Sequence, residues 1–186
     1  MNKNVVLIRF SSRENGNCYA IAQYLADYHK EDHVKSYKID SNVVVPCENC
    51  DYECLKPGAA CPGVTSAQTE IMDAISQADL AYFMIPNYCG FPPASYYAFN
   101  ERSVGYFNKN RELMGKYRSV AKKFVIVSNT EGQNFESAIR SQVMGEPEII
   151  YLKTGKYKKQ STAGDLMESD EAKADLNEFL TKESFV

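Results

Sequence analysis

Apolar runs alternating with amphipathic stretches from end to end constrain what this chain can fold into more than any other feature. Val5–Ile8, Leu80–Ile85, Phe124–Val127 and Ile149–Leu152 are short continuous runs of the kind found in strands buried on both faces, and Val34–Ile39 alternates less cleanly as another strand. Between the first two strands, Cys18, Ile21, Ala22 and Leu25 recur at i, i+3, i+4 and i+7, which marks a helix with one buried face. Thr65 or Ser66 caps a helix carrying Ile71, Met72 and Ile75; Pro93 opens one that reaches Phe107; others run from Phe135 to Met144 and from Asp170 to Leu180. Strands and helices in this order require right-handed crossovers and a parallel sheet covered on both sides. The expected fold class is α/β: a doubly wound five-stranded parallel sheet of order 2-1-3-4-5, with helices on both faces, in a single domain over residues 1–186.

The net charge of -3 gives no polyanion-binding signal, so nucleic acid is not an expected partner. Arg9 interrupts the first apolar run, leaving it too short for an export signal or a bilayer span, and a cytoplasmic protein without a membrane partner is expected. In a reducing compartment six cysteines read as thiols or metal ligands rather than disulfides.

Ligands of such sheets gather at the carboxyl ends of the strands, beside helix N-termini. The first such end is Phe10-Ser-Ser-Arg-Glu-Asn-Gly-Asn-Cys18. Ser11, Ser12, Asn15 and Asn17 supply short polar groups, Gly16 permits close backbone approach, and Arg13 adds a fork suited to phosphate. The segment lacks the Gly-Lys-Ser/Thr of nucleotide triphosphatases and the Gly-x-Gly-x-x-Gly of dinucleotide folds. Two further loops fall on the same edge: Pro86-Asn87-Tyr88-Cys89-Gly90-Phe91, and Ser128-Asn129-Thr130-Glu131-Gly132-Gln133. Tyr88 can stack on a planar ring, and N–H groups around Gly90 and Gly132 can meet ring heteroatoms. Each loop alone also reads as an ordinary turn; three on one edge favour a cofactor site.

Two connections are too long for plain turns. Lys153–Met167 carries Lys153, Lys156, Lys158 and Lys159, read as a solvated flap or as an attractor of nucleotide phosphates or an acidic redox partner. The other, residues 42–64, holds Cys47, Cys50, Cys54 and Cys61 with the spacing Cys-x2-Cys-x3-Cys-x6-Cys, among Pro46, Pro57, Gly58, Pro62 and Gly63. Four readings compete for these thiols: a [4Fe–4S] cluster, a zinc site, a redox-active thiol pair, and a loop without metal. Glu48, Asp51 and Glu53 face only Lys56, surroundings that would lower the potential of any cluster. His29 and His33 read as solvated residues near a helix end, and Cys89 as a backbone or packing residue of its loop.

On these motifs the chain resembles the flavodoxin-like flavoproteins of the NADPH-dependent FMN reductase and iron–sulfur flavoprotein branch. Their first loop commonly reads Gly-Ser-Pro-Arg-Lys-Asn-Gly-Asn-Thr, matched here by Ser11, Arg13, Asn15, Gly16 and Asn17, with Phe10 and Cys18 as departures. Pro86, Tyr88 and Gly90 match a Pro-x-Tyr-x-Gly segment, and the cysteines fall where the family places a Cys-x2-Cys-x2-Cys-x4–7-Cys cluster loop, with one extra residue after Cys50.

The resemblance implies an FMN-dependent oxidoreductase or electron-transfer flavoprotein. FMN would be held by Ser11, Arg13, Asn15, Gly16, Asn17, Cys18, Pro86, Asn87, Tyr88, Cys89, Gly90, Asn129, Thr130 and Gly132, and a [4Fe–4S] cluster by Cys47, Cys50, Cys54 and Cys61. It further implies NAD(P)H as donor, a small-molecule or protein redox partner, a homodimer or tetramer, and no catalytic side chain, since the flavin carries the chemistry. The competing reading is a non-enzymatic binding or sensing protein whose cysteine loop binds metal or switches by thiol chemistry.

Overall fold

Five parallel strands pair in the order β2-β1-β3-β4-β5: β1 (Asn4–Arg9), β2 (His33–Lys38), β3 (Leu80–Pro86), β4 (Ala121–Ser128) and β5 (Pro147–Lys153). The coordinates are a computed structural model that describes residues 2–182 apart from 48, 49, 58, 60, 109 and 131; Glu48 and Gly58, invoked above, lie outside the described residues. Alternate strand residues feed two hydrophobic layers, as a sheet wrapped on both faces requires. Val6, Ile8, Phe83 and Ile126 pack beneath α2 (Ser66–Ser76), α3 (Ala94–Phe107), α4 (Arg111–Ser119) and α5 (Gln133–Gln142). Val5, Leu7, Tyr82 and Val125 pack beneath α1 (Asn17–Tyr28) and α6 (Asp170–Thr181). The expected fold class and strand order are those observed.

Helix α4 was not foreseen from the sequence. Of its nine residues only Tyr117 is fully buried, with Leu113 and Met114 half-buried one turn before, so its apolar stripe is too short to stand out. Asn110 caps it through Leu113 N–H at 3.1 Å, and Glu112 pairs with Lys116 at 2.9 Å one turn on. Strand β4 also begins earlier than its apolar run, because Lys122 and Lys123 are both buried yet bonded. Lys122 Nζ donates to the carbonyls of Tyr117 (2.5 Å) and Val120 (3.0 Å) at the end of α4, and burial lowers its pKa to about 8. A lysine depressed on folding binds fewer protons folded than unfolded between its two pKa values. Stability relative to a Lys122→Met variant should therefore rise from pH 8 toward pH 10.5, measured by urea denaturation across that range.

His29 corrects the reading of a solvated histidine. It is buried, with Nδ1 at 2.8 Å from Asp32 Oδ2 and Nε2 at 3.0 Å from the hydroxyl of the buried Tyr82. The phenol at the amino end of β3 needs a polar partner, and the end of α1 delivers one. His33, by contrast, is exposed and opens β2. His29→Ala should cost roughly 1–3 kcal/mol in denaturant melts, the range for orphaning a buried polar group, with part recovered by adding Tyr82→Phe.

Candidate functional site

The chain leaves β1 at Phe10 and enters α1 through an N-cap at Gly16 that no side chain caps. Tyr19 and Ala20 donate back to Gly16 O at 2.9 and 3.1 Å. Ahead of them, Gly16 closes a turn on Arg13, and the backbone N–H groups of residues 11–15, 17 and 18 find no protein acceptor among the described residues. A run of free donors at a helix N-terminus is where an anion is best stabilised. Ser11 and Gly16 are buried beneath this loop, while Arg13 and Asn15 are exposed.

Two residues of the loop face elsewhere. Cys18 is 3% exposed and packs with Ile21 and Leu25, and burial pushes its thiol up to about 12, so it presents no donor at the surface. Asn17, equally buried, reaches across to the connection after β5. Its Nδ2 donates to Gln160 O (2.9 Å) and Ser161 O (3.2 Å), and its Oδ1 accepts from Leu166 N–H (3.0 Å). Arg13 Nη1 donates to Thr162 O at 3.2 Å. Gly164, at φ +79°, lies so close that a Cβ there would stand 2.1 Å from the Asn15 carbonyl oxygen. Residues 160–166 are thus strapped onto the β1 loop. Two lysines of this connection are ion-paired at the surface: the exposed Lys156 bonds Asp175, and the half-buried Lys159 bonds Glu168 at 3.0 Å.

After β3 the chain makes a tight hairpin. Tyr88 and Phe91 exchange N–H···O bonds of 2.9 and 3.1 Å, with Cys89 (φ +53°) and Gly90 (φ +90°) both left-handed, as a type I′ turn demands. The constraint on Cys89 is backbone geometry, and its thiol is free and exposed. Asn87 holds the turn: its Oδ1 accepts from Gly90 N–H at 2.8 Å, and its Nδ2 donates to Ser128 Oγ at 2.8 Å. Ser128 Oγ in turn donates to Thr130 O at 2.6 Å and accepts from Thr130 N–H at 3.1 Å, so the β3 and β4 loops are fixed to one another. Gly132 caps α5 against the Tyr151 ring, where a Cβ would come within 2.7 Å.

A cavity of about 290 Å³ opens where these loops meet, lined on the β1 and β3 sides by Arg13, Pro86, Asn87, Tyr88 and Cys89. Val127 and Asn129 of the β4 end complete it with Ser161 and Thr162 of the strap. Tyr88 is 53% exposed and Phe91 beside it 47%, large apolar surface for a hairpin tip. The structure therefore brings together Arg13, Pro86, Asn87, Tyr88, Cys89 and Asn129 from the sequence reading. Ser11, Asn15, Gly16, Asn17, Cys18, Gly90, Thr130 and Gly132 lie around or behind the cavity without lining it. Ser161 and Thr162 escaped the sequence reading; the length of their connection was the only sign of them.

The cysteine segment docks on α3 at the opposite end of β2 from the amino edge. Glu101 Oε2 accepts from Cys47 N–H (3.1 Å), and Asn108 Nδ2 donates to Cys54 O (3.2 Å). Arg102, 3% exposed, donates to Val45 O (3.0 Å), Pro46 O (2.5 Å) and Cys61 Sγ (3.5 Å). Gly105, one turn on, leaves room for two cysteines: a Cβ there would lie 2.7 Å from Cys61 Cβ and 3.3 Å from Cys54 Cβ. Desolvation raises the Cys47 thiol above its ordinary value, with Cys50 and Cys61 as neighbours adding to the rise and Arg102 opposing it. Among the described residues, however, no three His, Cys, Asp or Glu side chains stand as a metal-ligand group. Cys47, Cys54 and Cys61 are gathered against α3 without adopting ligand geometry.

No protein-family model matches the chain. No curated protein matches it either. Solved structures do. The Trp repressor binding protein from Bacillus subtilis superposes with a TM-score of 0.63 at 13% identity, over 97% of this chain and 99% of that one. The flavoenzyme NAD(P)H:(acceptor) oxidoreductase from Paracoccus denitrificans gives 0.58 at 11% identity, over 96% and 95%. An azoreductase from Bacillus anthracis str. Sterne gives 0.57 at 14% identity, over 97% and 95%. At such identities the likeness is one of architecture, and with its 2-1-3-4-5 parallel sheet the chain has the flavodoxin-like fold.

Proposed function

We propose that this protein is an FMN-dependent NAD(P)H oxidoreductase. The observation that carries the reading is the meeting of the donor-rich β1 loop and Arg13 with the Tyr88 hairpin around one cavity. The residues fit such a cofactor. Free N–H groups of residues 11–15, 17 and 18 and the Arg13 guanidinium suit a phosphate monoester, and the exposed face of Tyr88 suits a planar ring. Asn87 holds the hairpin rigidly for that contact, since its amide bonds both the turn and β4. When bound, FMN supplies acceptance of hydride or single electrons, so the chain needs only to bind, orient and shield. Two solved structures of like fold are named as an NAD(P)H:(acceptor) oxidoreductase and an azoreductase, which agrees with the reading. The test is anaerobic addition of NADH or NADPH to the FMN-loaded protein. Loss of the flavin absorption with either donor is expected; a flavin that neither donor reduces would contradict the oxidoreductase reading.

A second reading adds a [4Fe–4S] cluster on Cys47, Cys50, Cys54 and Cys61. It draws on the shared docking of Cys54 and Cys61 at Gly105 and on the Arg102 contact to Cys61 Sγ. The described cysteines do not form a ligand group, so no electron path is routed through them. Anaerobic purification followed by iron, acid-labile sulfide and zinc analysis decides it: iron and sulfide in matching amounts support a cluster, and their absence leaves a plain flavoenzyme.

A further inference from the structure

The strap after β5 has no role in the proposed function, yet two of its residues line the same cavity as Arg13. Ser161 and Thr162 stand there with hydroxyls that have no hydrogen-bond partner among the described residues, while their backbone carbonyls are taken by Asn17 and Arg13. The Cys18 thiol is sunk in the core and offers the site nothing. We propose that residues 160–164 form a second wall of the phosphate site, in which the Ser161 and Thr162 hydroxyls donate to the phosphate monoester of FMN and Asn17 is the positioning residue that holds the wall. This inference rests on the FMN reading above and deepens it.

The argument for Asn17 is one of geometry. Its buried amide uses both ends on the strap, at 2.9, 3.2 and 3.0 Å, which leaves it no capacity to bind the ligand directly. Its three bonds fix residues 160, 161 and 166, so they bracket the two hydroxyls. Arg13 is then shared: its Nη1 steadies Thr162 O, and its remaining guanidinium donors stay available to an anion between the loop and the strap. A phosphate there would meet the Arg13 guanidinium on one side and the Ser161 and Thr162 hydroxyls on the other, with the β1-loop N–H groups beside the cavity.

Fluorescence titration of flavin-free protein with FMN and with riboflavin, which lacks the phosphate, separates the possibilities. The Ser161→Ala/Thr162→Val double variant should bind FMN about tenfold or more weakly, the effect of losing hydrogen bonds to a charged group, and riboflavin as well as the wild type does. Asn17→Ala should lower FMN affinity in the same selective way and speed amide hydrogen exchange in residues 160–166. Lys158→Ala, on the exposed part of the same connection, should change neither affinity. Unchanged FMN affinity in the double variant, or an equal loss for both flavins, would overturn the assignment. A wild-type protein that binds neither flavin would overturn the FMN reading itself, and the inference with it.

Discussion

Replacing Gly164 with alanine should weaken FMN binding roughly tenfold to a hundredfold while leaving the rest of the fold intact. The residue sits at φ +79°, where an L side chain is strained, and the new Cβ would be 2.1 Å from Asn15 O and 3.6 Å from the Gly16 carbonyl carbon. The obstacle is backbone on both counts, so no rotamer relieves it. Left-handed strain alone costs about 1–2 kcal/mol, and a contact this short adds to it. The strap is held to the β1 loop by a few hydrogen bonds from Asn17 and Arg13, each worth about 1 kcal/mol net. Release of the strap is the cheapest response. Residues 160–166 should then become protease-sensitive, and FMN affinity should fall roughly tenfold to a hundredfold, as 1.4–2.7 kcal/mol of lost binding implies. An alanine variant with wild-type FMN affinity would show that the strap is not part of the site.

Arg102→Met should free the cysteine segment from α3. The guanidinium is buried and donates to Val45 O, Pro46 O and Cys61 Sγ, and Gly63 has no side chain because it lies against that group: a Cβ would meet Arg102 Nη1 at 2.0 Å. Hydrogen bonds from a charged donor are worth about 1.5–3 kcal/mol each, so losing the two to carbonyls should cost roughly 3 kcal/mol or more. Gly63→Ala should act in the same direction by expelling the guanidinium, and Gly105→Leu by displacing Cys54 and Cys61. Urea denaturation gives the stability change. Alkylation rates of Cys54 and Cys61 give the local one, expected to rise well above those of the wild type. Unaltered alkylation in Arg102→Met would mean that the segment is held by its other contacts to α3, through Glu101 and Asn108.

The strands were legible because each buried run carries its own pattern. Leu80–Ile85 is apolar throughout and lies in the centre of the sheet, and its end at Pro86 was marked in the sequence. The lysines of β4 hid two strand residues, since a buried lysine satisfied by carbonyls looks polar in a sequence and behaves as core. Helix α4 was missed because its apolar face is only one turn long, Leu113 and Met114 with Tyr117, and the rest of it is a cap and a surface ion pair. At the site, Arg13, Asn87 and Tyr88 could be placed on one edge from topology alone. Asn17 could not, because a loop asparagine aimed at a ligand and one aimed at a segment some 145 residues later read alike; only packing separates them. His29 escaped because it caps the end of α1 and its partner Tyr82 lies far along the chain on β3. The cysteine spacing announced a gathering of thiols but not their anchors on α3, Arg102 with Glu101 and Asn108 beside it.

The central claim is that the β1 loop and the Tyr88 hairpin bind FMN by its phosphate and its ring together. Equilibrium titration of flavin-free protein with FMN and riboflavin, for the wild type and Arg13→Ala, tests it most directly. The account predicts that the wild type binds FMN more tightly than riboflavin, with quenching of the flavin fluorescence on Tyr88, and that Arg13→Ala erases most of that preference. Equal affinity for the two flavins in the wild type, or an Arg13→Ala variant that keeps the full preference, would contradict it.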